Sequence, residues 1–359
     1  MIAKLHAYGF DSNACMLIAS YFQDRKQRVK LGNNKSDWLY LHKGAPQGSL
    51  FGPFMYNIFS NDLLLTLQNL CHIYNYADDN TISYVGSNVD EVIVNLQNVT
   101  ALMLKWFECN YLKANSEKFQ CILYGKGNIE TPIIINNHSV MSQNSVKLLG
   151  VNIDSGLSFS AHIAEICKKA GKQLNALGRL SKVLDRDAKL KLFETFILSR
   201  FNFCPIIWHF CSNEDMRKIE RIQKRSLRFI YNDFKSSYCE LRQMSTRPLL
   251  YVQRLRYIVL EVFKIYHGLC PKYLCDLIQK RNTSRSTRLI NNVEIPRFSS
   301  VTYGQNSFRV EGAKLWNSLS DDLKACTNLK MFKRLISAWD GPCCNCSYCK
   351  LCILSNGFY

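Results

Sequence analysis

No apolar run of membrane length occurs in this chain of 359 residues. Its most apolar stretch, Phe193 to Cys211, is broken by Glu194, Arg200, Asn202 and Pro205, which excludes a bilayer-spanning helix there. No internal repeat and no low-complexity tract is present. The opening "MIAKLHAYGFDSNACMLIAS" lacks a basic segment leading into an unbroken apolar one, so it does not read as a secretory leader. Without that leader, sixteen cysteines spread irregularly do not read as the disulfide framework of a small secreted domain. They are expected to be reduced, mostly buried thiols in an intracellular protein. Acidic residues are also scarce, 28 against 46 Lys and Arg, giving a formal net charge of +18.

That deficit is not uniform. Residues 1–160 hold 12 basic and 12 acidic side chains, residues 161–260 hold 20 and 9, and residues 261–359 hold 14 and 7. A neutral first part followed by a basic remainder suits a site-bearing unit joined to one that grips a polyanion. With 47% hydrophobic and 21% charged residues, the chain has the composition of folded domains with real cores.

Hydrophobic spacing predicts helices near the start (Ile2, Leu5, then Met16 to Phe22), after residue 53, and over 89–112. The basic "RKQRVKL" (25–31) alternates as a strand does. Further strands are predicted at 71–76 and 81–85, around a tight Ala-Asp-Asp-Asn connection, and at 120–125, 132–136 and 147–153. Asn136-Asn137 reads as a hairpin turn. From about residue 160 the pattern is helical and basic, over 160–183, 187–212, 214–232 and 248–268. Residues 282–312 read as irregular and 313–338 as one helix.

The connection at Tyr76-Ala77-Asp78-Asp79 sets two carboxylates side by side at the edge of a strand pair. Such a pair repels itself unless a divalent cation lies between it and a third acid. Magnesium favours carboxylate oxygens completed by water and phosphate. Two such ions roughly 3.5–4 Å apart can activate a 3′ hydroxyl and stabilise departing pyrophosphate. Upstream, "GAPQGSLFGP" (44–53) fixes a tight backbone with glycines and prolines before a helix, and offers Gln47 and Ser49 as neutral hydrogen-bonding groups.

Together these residues resemble the palm of a reverse transcriptase of the non-LTR (LINE-type, Jockey-like) retrotransposons. "GAPQGSLFGP" resembles the family's B motif, "YADD" its catalytic C motif, "LKANSEK" (112–118) its D motif and "KLLGVNID" (147–154) its primer grip. "HIAEICKKAGKQLNALGRL", "RKIERIQKRSLRFI" and "SFRVEGAKLWNSL" are similar to the thumb and C-terminal regions of the same elements. The resemblance implies an α+β fold: a partial palm over 1–155, a basic helical thumb over 156–280, a C-terminal region over 281–339 and a Cys-rich tail over 340–359. It implies RNA-directed DNA polymerisation on an RNA template and DNA primer, with deoxynucleoside triphosphates and two Mg2+ ions, in the nucleus or a cytoplasmic ribonucleoprotein. Asp78 would bind metal and Asp79 would support the primer end or the metals. Lys118 would stand near the triphosphate as a proton donor to pyrophosphate. Tyr76, Gln47, Gly48 and Ser49 would contact template and nucleotide, and Leu149 and Gly150 the primer.

In this family an acid on an earlier strand, the A motif, shares the metals with the C-motif aspartate. "MIAKLHAYGF" resembles the stretch just after that acid, so the A motif and the fingers are expected to lie outside these residues. Asp11, Asp24, Asp37 and Asp62 do not replace it: Asp11 follows the first helix, Asp24 and Asp37 lack an apolar strand before them, and Asp62 follows the B-motif helix. This exact chain is therefore expected not to polymerise. A non-catalytic nucleic-acid-binding remnant is the alternative, whereas the C-terminal half argues against an intron-type or telomerase-type enzyme.

The remnant reading rests on Arg217, Arg221, Lys224, Arg225 and Arg228, which recur at i, i+4, i+7, i+8 and i+11 on one helical face and suit a phosphate backbone. Ile219, Ile222, Leu227 and Ile230 fall on other sides and are expected to pack inward. The tail offers Cys346, Cys349 and Cys352, with Cys344 or Cys343 able to complete four thiolates for zinc. Its spacing is cramped and it holds no His, so an unstructured thiol-rich end stays open beside the zinc site.

Overall fold

The structure, a computed structural model, describes residues 1–46, 48–125, 132–135, 137–281 and 291–342. The fold is α+β, and the chain divides into two compact units. Unit 1 comprises Met1–Cys121 and Lys126–Ser142. Unit 2 comprises Ile122–Gly125 and Gln143–Tyr359.

Unit 1 opens with helices α1 (Ile2–Ala7) and α2 (Ser12–Phe22). Gly9, at φ 85°, separates them. Asp11 accepts the Ala14 N–H at 2.9 Å and so serves as the cap of α2. Four two-residue strands follow: β1 (Lys26–Gln27), β2 (Lys30–Leu31), β3 (Asn34–Lys35) and β4 (Leu39–Tyr40). The strand expected over 25–31 is thus interrupted, and β1–β4 and β2–β3 form one antiparallel ribbon.

Helix α3 (Phe51–Leu67) leads to the hairpin β5 (His72–Tyr76) and β6 (Asp79–Ser83), then to α4 (Val89–Cys109). Asn88 caps α4, and Asp90 and Glu91 in its first turn favour that end electrostatically. Leu63 and Leu67 of α3 meet Val99 and Met103 of α4, with Ile73 and Ile82 of the hairpin against them. A second hairpin, β7 (Ile133–Ile135) and β8 (His138–Val140), closes the unit, with Asn137 left-handed at φ 66°. No strand forms at 120–125; Cys121 makes only an isolated bridge to Ser142.

In unit 2 the expected single strand at 147–153 is instead a hairpin of β9 (Ser145–Leu148) and β10 (Val151–Asp154). Leu149 (φ 46°) and Gly150 (φ 87°) both turn left-handed, as a tight two-residue loop demands. Among the described residues strands pair only in twos.

Among the described residues ten α-helices follow: α5 (Ser160–Gly178), α6 (Arg186–Phe193), α7 (Ser199–Asn202), α8 (Asn213–Tyr231), α9 (Tyr238–Ser245), α10 (Leu250–Tyr266), α11 (Lys272–Cys275), α12 (Phe308–Asn317), α13 (Asp321–Ala325) and α14 (Leu329–Ser337). The helix expected over 187–212 ends at Asn202, after a π turn at Glu194–Leu198. The one expected over 313–338 is three, because Asn328 starts a new helix by capping Met331 N–H at 3.0 Å.

A single core runs from Val151 to Ile336. Phe263 of α10 stacks on Phe332 of α14, ring centroids 4.1 Å apart. Ile219, Ile222, Leu227 and Ile230 point inward as expected. Arg254 is 2% exposed and none of its guanidinium nitrogens has a hydrogen-bond partner. Instead the guanidinium lies over Trp208 and Tyr251, 5.0 and 5.7 Å from their ring centroids. Glu220, equally enclosed, accepts from the Tyr238 hydroxyl at 2.6 Å and the Tyr251 N–H at 2.9 Å.

Eleven cysteines among the described residues are free: three buried, six half-buried and two exposed. They are therefore less enclosed than expected.

Candidate active site

The β5–β6 pair is in register Tyr76↔Asp79, leaving Ala77 and Asp78 as the whole turn. Ala77 takes φ 53°, a left-handed value that glycine adopts freely and alanine does not. The Asn80 side-chain amide donates to the Asp78 carbonyl at 3.1 Å and braces the bend. Alternation along β5 sends Ile73 and Asn75 inward and leaves Tyr74 and Tyr76 exposed. Asp78 and Asp79 are both exposed. The apolar face of the hairpin is therefore anchored on α3 and α4, while its tip presents two carboxylates to solvent.

Two neighbours of this tip are not evident from motif spacing. Tyr56, half-buried on α3, has its phenol pushed up first by burial and then by the Asp78 charge, which places it within electrostatic reach of the turn. Asn75 holds a buried side-chain oxygen with no hydrogen-bond partner. Tyr56 lies on the B-motif helix, seven residues beyond Ser49; an aromatic hydroxyl there reads as ordinary helix surface.

In the Gly/Pro loop, Gly44 (φ 87°) and Gly48 (φ 80°) need glycine for conformation, since a Cβ on either would meet nothing within 4 Å. Ser49 accepts from Gly52 N–H and donates to the Pro46 carbonyl, each at 2.9 Å, so its hydroxyl ties the loop to the start of α3. A Cβ on Gly52 would lie 3.0 Å from that hydroxyl, which explains the small residue. Gln47 lies outside the described residues. Lys118 is exposed at the end of a 3-10 turn, Ser116–Lys118, that Asn115 caps. Among the described residues no ion pair joins it to Asp78 or Asp79.

Leu149 and Gly150 belong to unit 2. Gly150 borders a groove of about 360 Å³ shared with His162, Glu165, Lys169, Arg200 and Phe203. Lys169 is ion-paired with Glu165, and Arg200 donates to Gln173 at 2.7 Å. Burial holds the His162 imidazole below its ordinary value.

Of the basic positions on α8, Arg221 and Arg225 are exposed, while Arg217, Lys224 and Arg228 are half-buried. Arg225 donates to Asn175 of α5 at 2.9 Å. Burial, then the Arg228 charge, lowers the Lys224 ammonium.

The exposed carboxylates of Asp78 and Asp79 suit a hard divalent cation completed by water and phosphate oxygens. Among the described residues no group of three or more His, Cys, Asp or Glu side chains is placed to hold a metal, so the third carboxylate of a two-metal site is not supplied there. Cys343, Cys344, Cys346, Cys349 and Cys352 lie outside the described residues. Among the described residues no helix is long and apolar enough to cross a membrane.

Residues 1–153 match the family "Reverse transcriptase (RNA-dependent DNA polymerase)". The chain is 25% identical over 228 residues to the probable RNA-directed DNA polymerase from transposon BS of Drosophila melanogaster, covering 60% of this chain and 25% of that protein. It is 24% identical over 266 residues to the RNA-directed DNA polymerase from mobile element jockey of Drosophila funebris, covering 70% and 28%. It is 28% identical over 270 residues to the Pol polyprotein from type-1 retrotransposable element R1 of Bradysia coprophila, covering 72% and 25%. These matches span about a quarter of the length of each of those three relatives.

Proposed function

We propose that this chain, whose residues 1–153 match the reverse transcriptase family and which is similar to polymerases of non-LTR retrotransposons, carries part of a polymerase palm followed by a helical thumb. Its substrates are an RNA template, a DNA primer and deoxynucleoside triphosphates. The carrying observation is the strained two-residue turn that holds Asp78 and Asp79 exposed at the tip of an anchored hairpin. Magnesium bound there would supply charge stabilisation for attack of a primer hydroxyl on a triphosphate. Asp78 is the metal ligand and Asp79 supports it. Tyr56 lines the same site as a phenol kept protonated. Lys118 donates a proton to the leaving pyrophosphate, and Gly48 and Ser49 hold the loop against which the nucleotide lies. Leu149 and Gly150 contact the primer, and the Arg221–Arg225 face of α8 tracks the duplex backbone.

Polymerisation needs a third carboxylate beside Asp78 and Asp79. The 359-residue polypeptide alone is therefore inactive in this proposal, and a longer polypeptide that contributes the acid is active. Primer extension with magnesium tests both arms. The longer form extends the primer and loses that activity in Asp78→Asn, whereas the 359-residue form does not extend it. Extension by the shorter form that vanishes in Asp78→Asn overturns the need for a third acid. A second reading, nucleic-acid binding without catalysis, is favoured by the exposed Arg221 and Arg225. It predicts salt-dependent duplex binding with no extension by either form.

A further inference from the structure

Every residue from Lys26 to Tyr40 is exposed. This is the ribbon of β1–β4 and β2–β3, closed by a two-residue turn at Gly32 and Asn33 with Gly32 at φ 59°. Five apolar side chains stand in solvent on it, among them Val29 (71% exposed), Leu31 (80%) and Leu39 (69%). A bare two-stranded ribbon is marginally stable alone, and an exposed apolar patch on a folded unit marks a contact surface.

Charge and geometry identify the partner. Between residues 25 and 43 stand Arg25, Lys26, Arg28, Lys30, Lys35 and Lys43 against the single acid Asp37. Lys30 and Lys35 are direct cross-strand partners, an arrangement of like charges that costs stability until an anion sits between them. The Lys26 ammonium and the Arg28 guanidinium lie 5.3 and 4.4 Å from the centre of the Trp38 ring, so cations and aromatic share one face. Tyr40, opposite Lys26, extends that face. Trp38 itself stays 48% exposed.

We propose that the 26–40 ribbon is a docking surface for single-stranded nucleic acid. A base stacks on Trp38 while Lys26, Arg28, Lys30 and Lys35 hold the flanking phosphates. Interleaved aromatics and cations on one face are the requirements of a single-strand platform, which accepts any base because every base has a π-face. The cationic edges disfavour pairing with a second copy of the chain. The inference shares with the proposed function only the kind of partner, and it does not need Asp78 to be active.

The test uses the 359-residue chain and a fluorescein-labelled 20-nucleotide RNA of mixed sequence without secondary structure. Binding is followed by anisotropy and by tryptophan emission. The expected result is quenching of tryptophan emission on binding that Trp38→Phe abolishes. Lys26→Glu/Arg28→Glu weakens binding at least about tenfold and flattens the plot of log affinity against log salt by about 1.4, at roughly 0.7 per phosphate on a single strand. Quenching persists in EDTA without magnesium, which separates this surface from the polymerase reading. Because these side chains lie outside the core, unchanged circular dichroism verifies that the variants fold. Three results overturn the proposal: RNA binding and quenching unaffected by the ribbon variants; Trp38 responding to vesicles of anionic phospholipid but not to RNA; or concentration-dependent self-association that the ribbon variants abolish in place of RNA binding.

Discussion

The hydroxyl of Ser160 donates to the carboxylate of Asp215 at 2.6 Å, joining the first residue of α5 to the first turn of α8 across 55 residues of sequence. Ser212 donates to the same carboxylate at 2.8 Å and Lys218 at 2.9 Å. Burial works to raise the Asp215 pKa, and the bonds from Ser160, Lys218 and Ser212 outweigh it and leave it below the ordinary value. A carboxylate depressed in the folded state contributes stability above its unfolded pKa, about 3.9, and loses it as pH falls through the folded value. Asp215→Ala should cost about 2 kcal/mol near neutral pH, since it removes the buried charged acceptor of the bonds from Ser160, Ser212 and Lys218. Urea titrations at pH 7 and pH 3 measure it, and the deficit should shrink at the lower pH. An equal deficit at both would show that the charge is irrelevant.

The left-handed Ala77 gives a prediction with two signs. Ala77→Gly removes the Cβ penalty and returns part of it as extra freedom in the unfolded chain, for a net gain of about 0.5 kcal/mol. Ala77→Val adds a β-branched side chain at the same φ and should lose more than that. Amide hydrogen exchange across the β5–β6 ladder reads both; slower exchange in the valine variant would contradict the strain.

Arg221 and Arg225 are the open cations of the α8 face. Arg221→Glu/Arg225→Glu should weaken binding to a duplex and reduce its salt dependence by about 0.9 for each phosphate no longer neutralised. A parallel weakening for all duplex sequences is expected, because backbone contacts do not read bases. Titrations at two salt concentrations on two unrelated duplexes settle the point.

Gly312 on α12 is where that helix meets α10: an added Cβ would come within 2.9 Å of the Val262 methyl. Gly→Ala in a helix ordinarily gains about 1 kcal/mol, but here the overpacking, about 1–3 kcal/mol, should win. Gly178, the last residue of α5, has nothing within 4 Å of the corresponding position and is the control that should gain stability. Thermal unfolding of the two single variants should move in opposite directions.

Long amphipathic segments were legible because burial imposes the helical period on them: α4, α8 and α10 begin and end within three residues of where spacing puts them. The Ala-Asp-Asp turn was legible for the same kind of reason, two alternating segments around a break. Leu149 hid the β9–β10 hairpin, since a leucine carries no signal for a left-handed turn. Helix α9 was missed because its residues are mostly polar, although Ser237 and Glu240 form a capping box that marks its start. Apolar spacing continues across Ser318–Ser320 and concealed two helix ends. Arg254 and Glu220 were beyond reach, because a charged residue on a helix reads as solvent-facing until its neighbours are known. Likewise the repeat of cations on α8 was visible, but not that Arg217 and Arg228 each bury a nitrogen without a partner. Tyr56 belongs with these, since only the folded path of α3 brings it to Asp78.

The stacking of Phe263 on Phe332 sets a schedule for synthesis. Helix α10 leaves the ribosome well before α12 and α14 exist, and 69 residues separate the two rings. At roughly 5–20 residues per second its apolar face waits several seconds for a cover. During that interval the nascent helical unit is open to chaperones, to proteases and to sticking, so its yield in a cell depends on translation speed between His267 and Phe332.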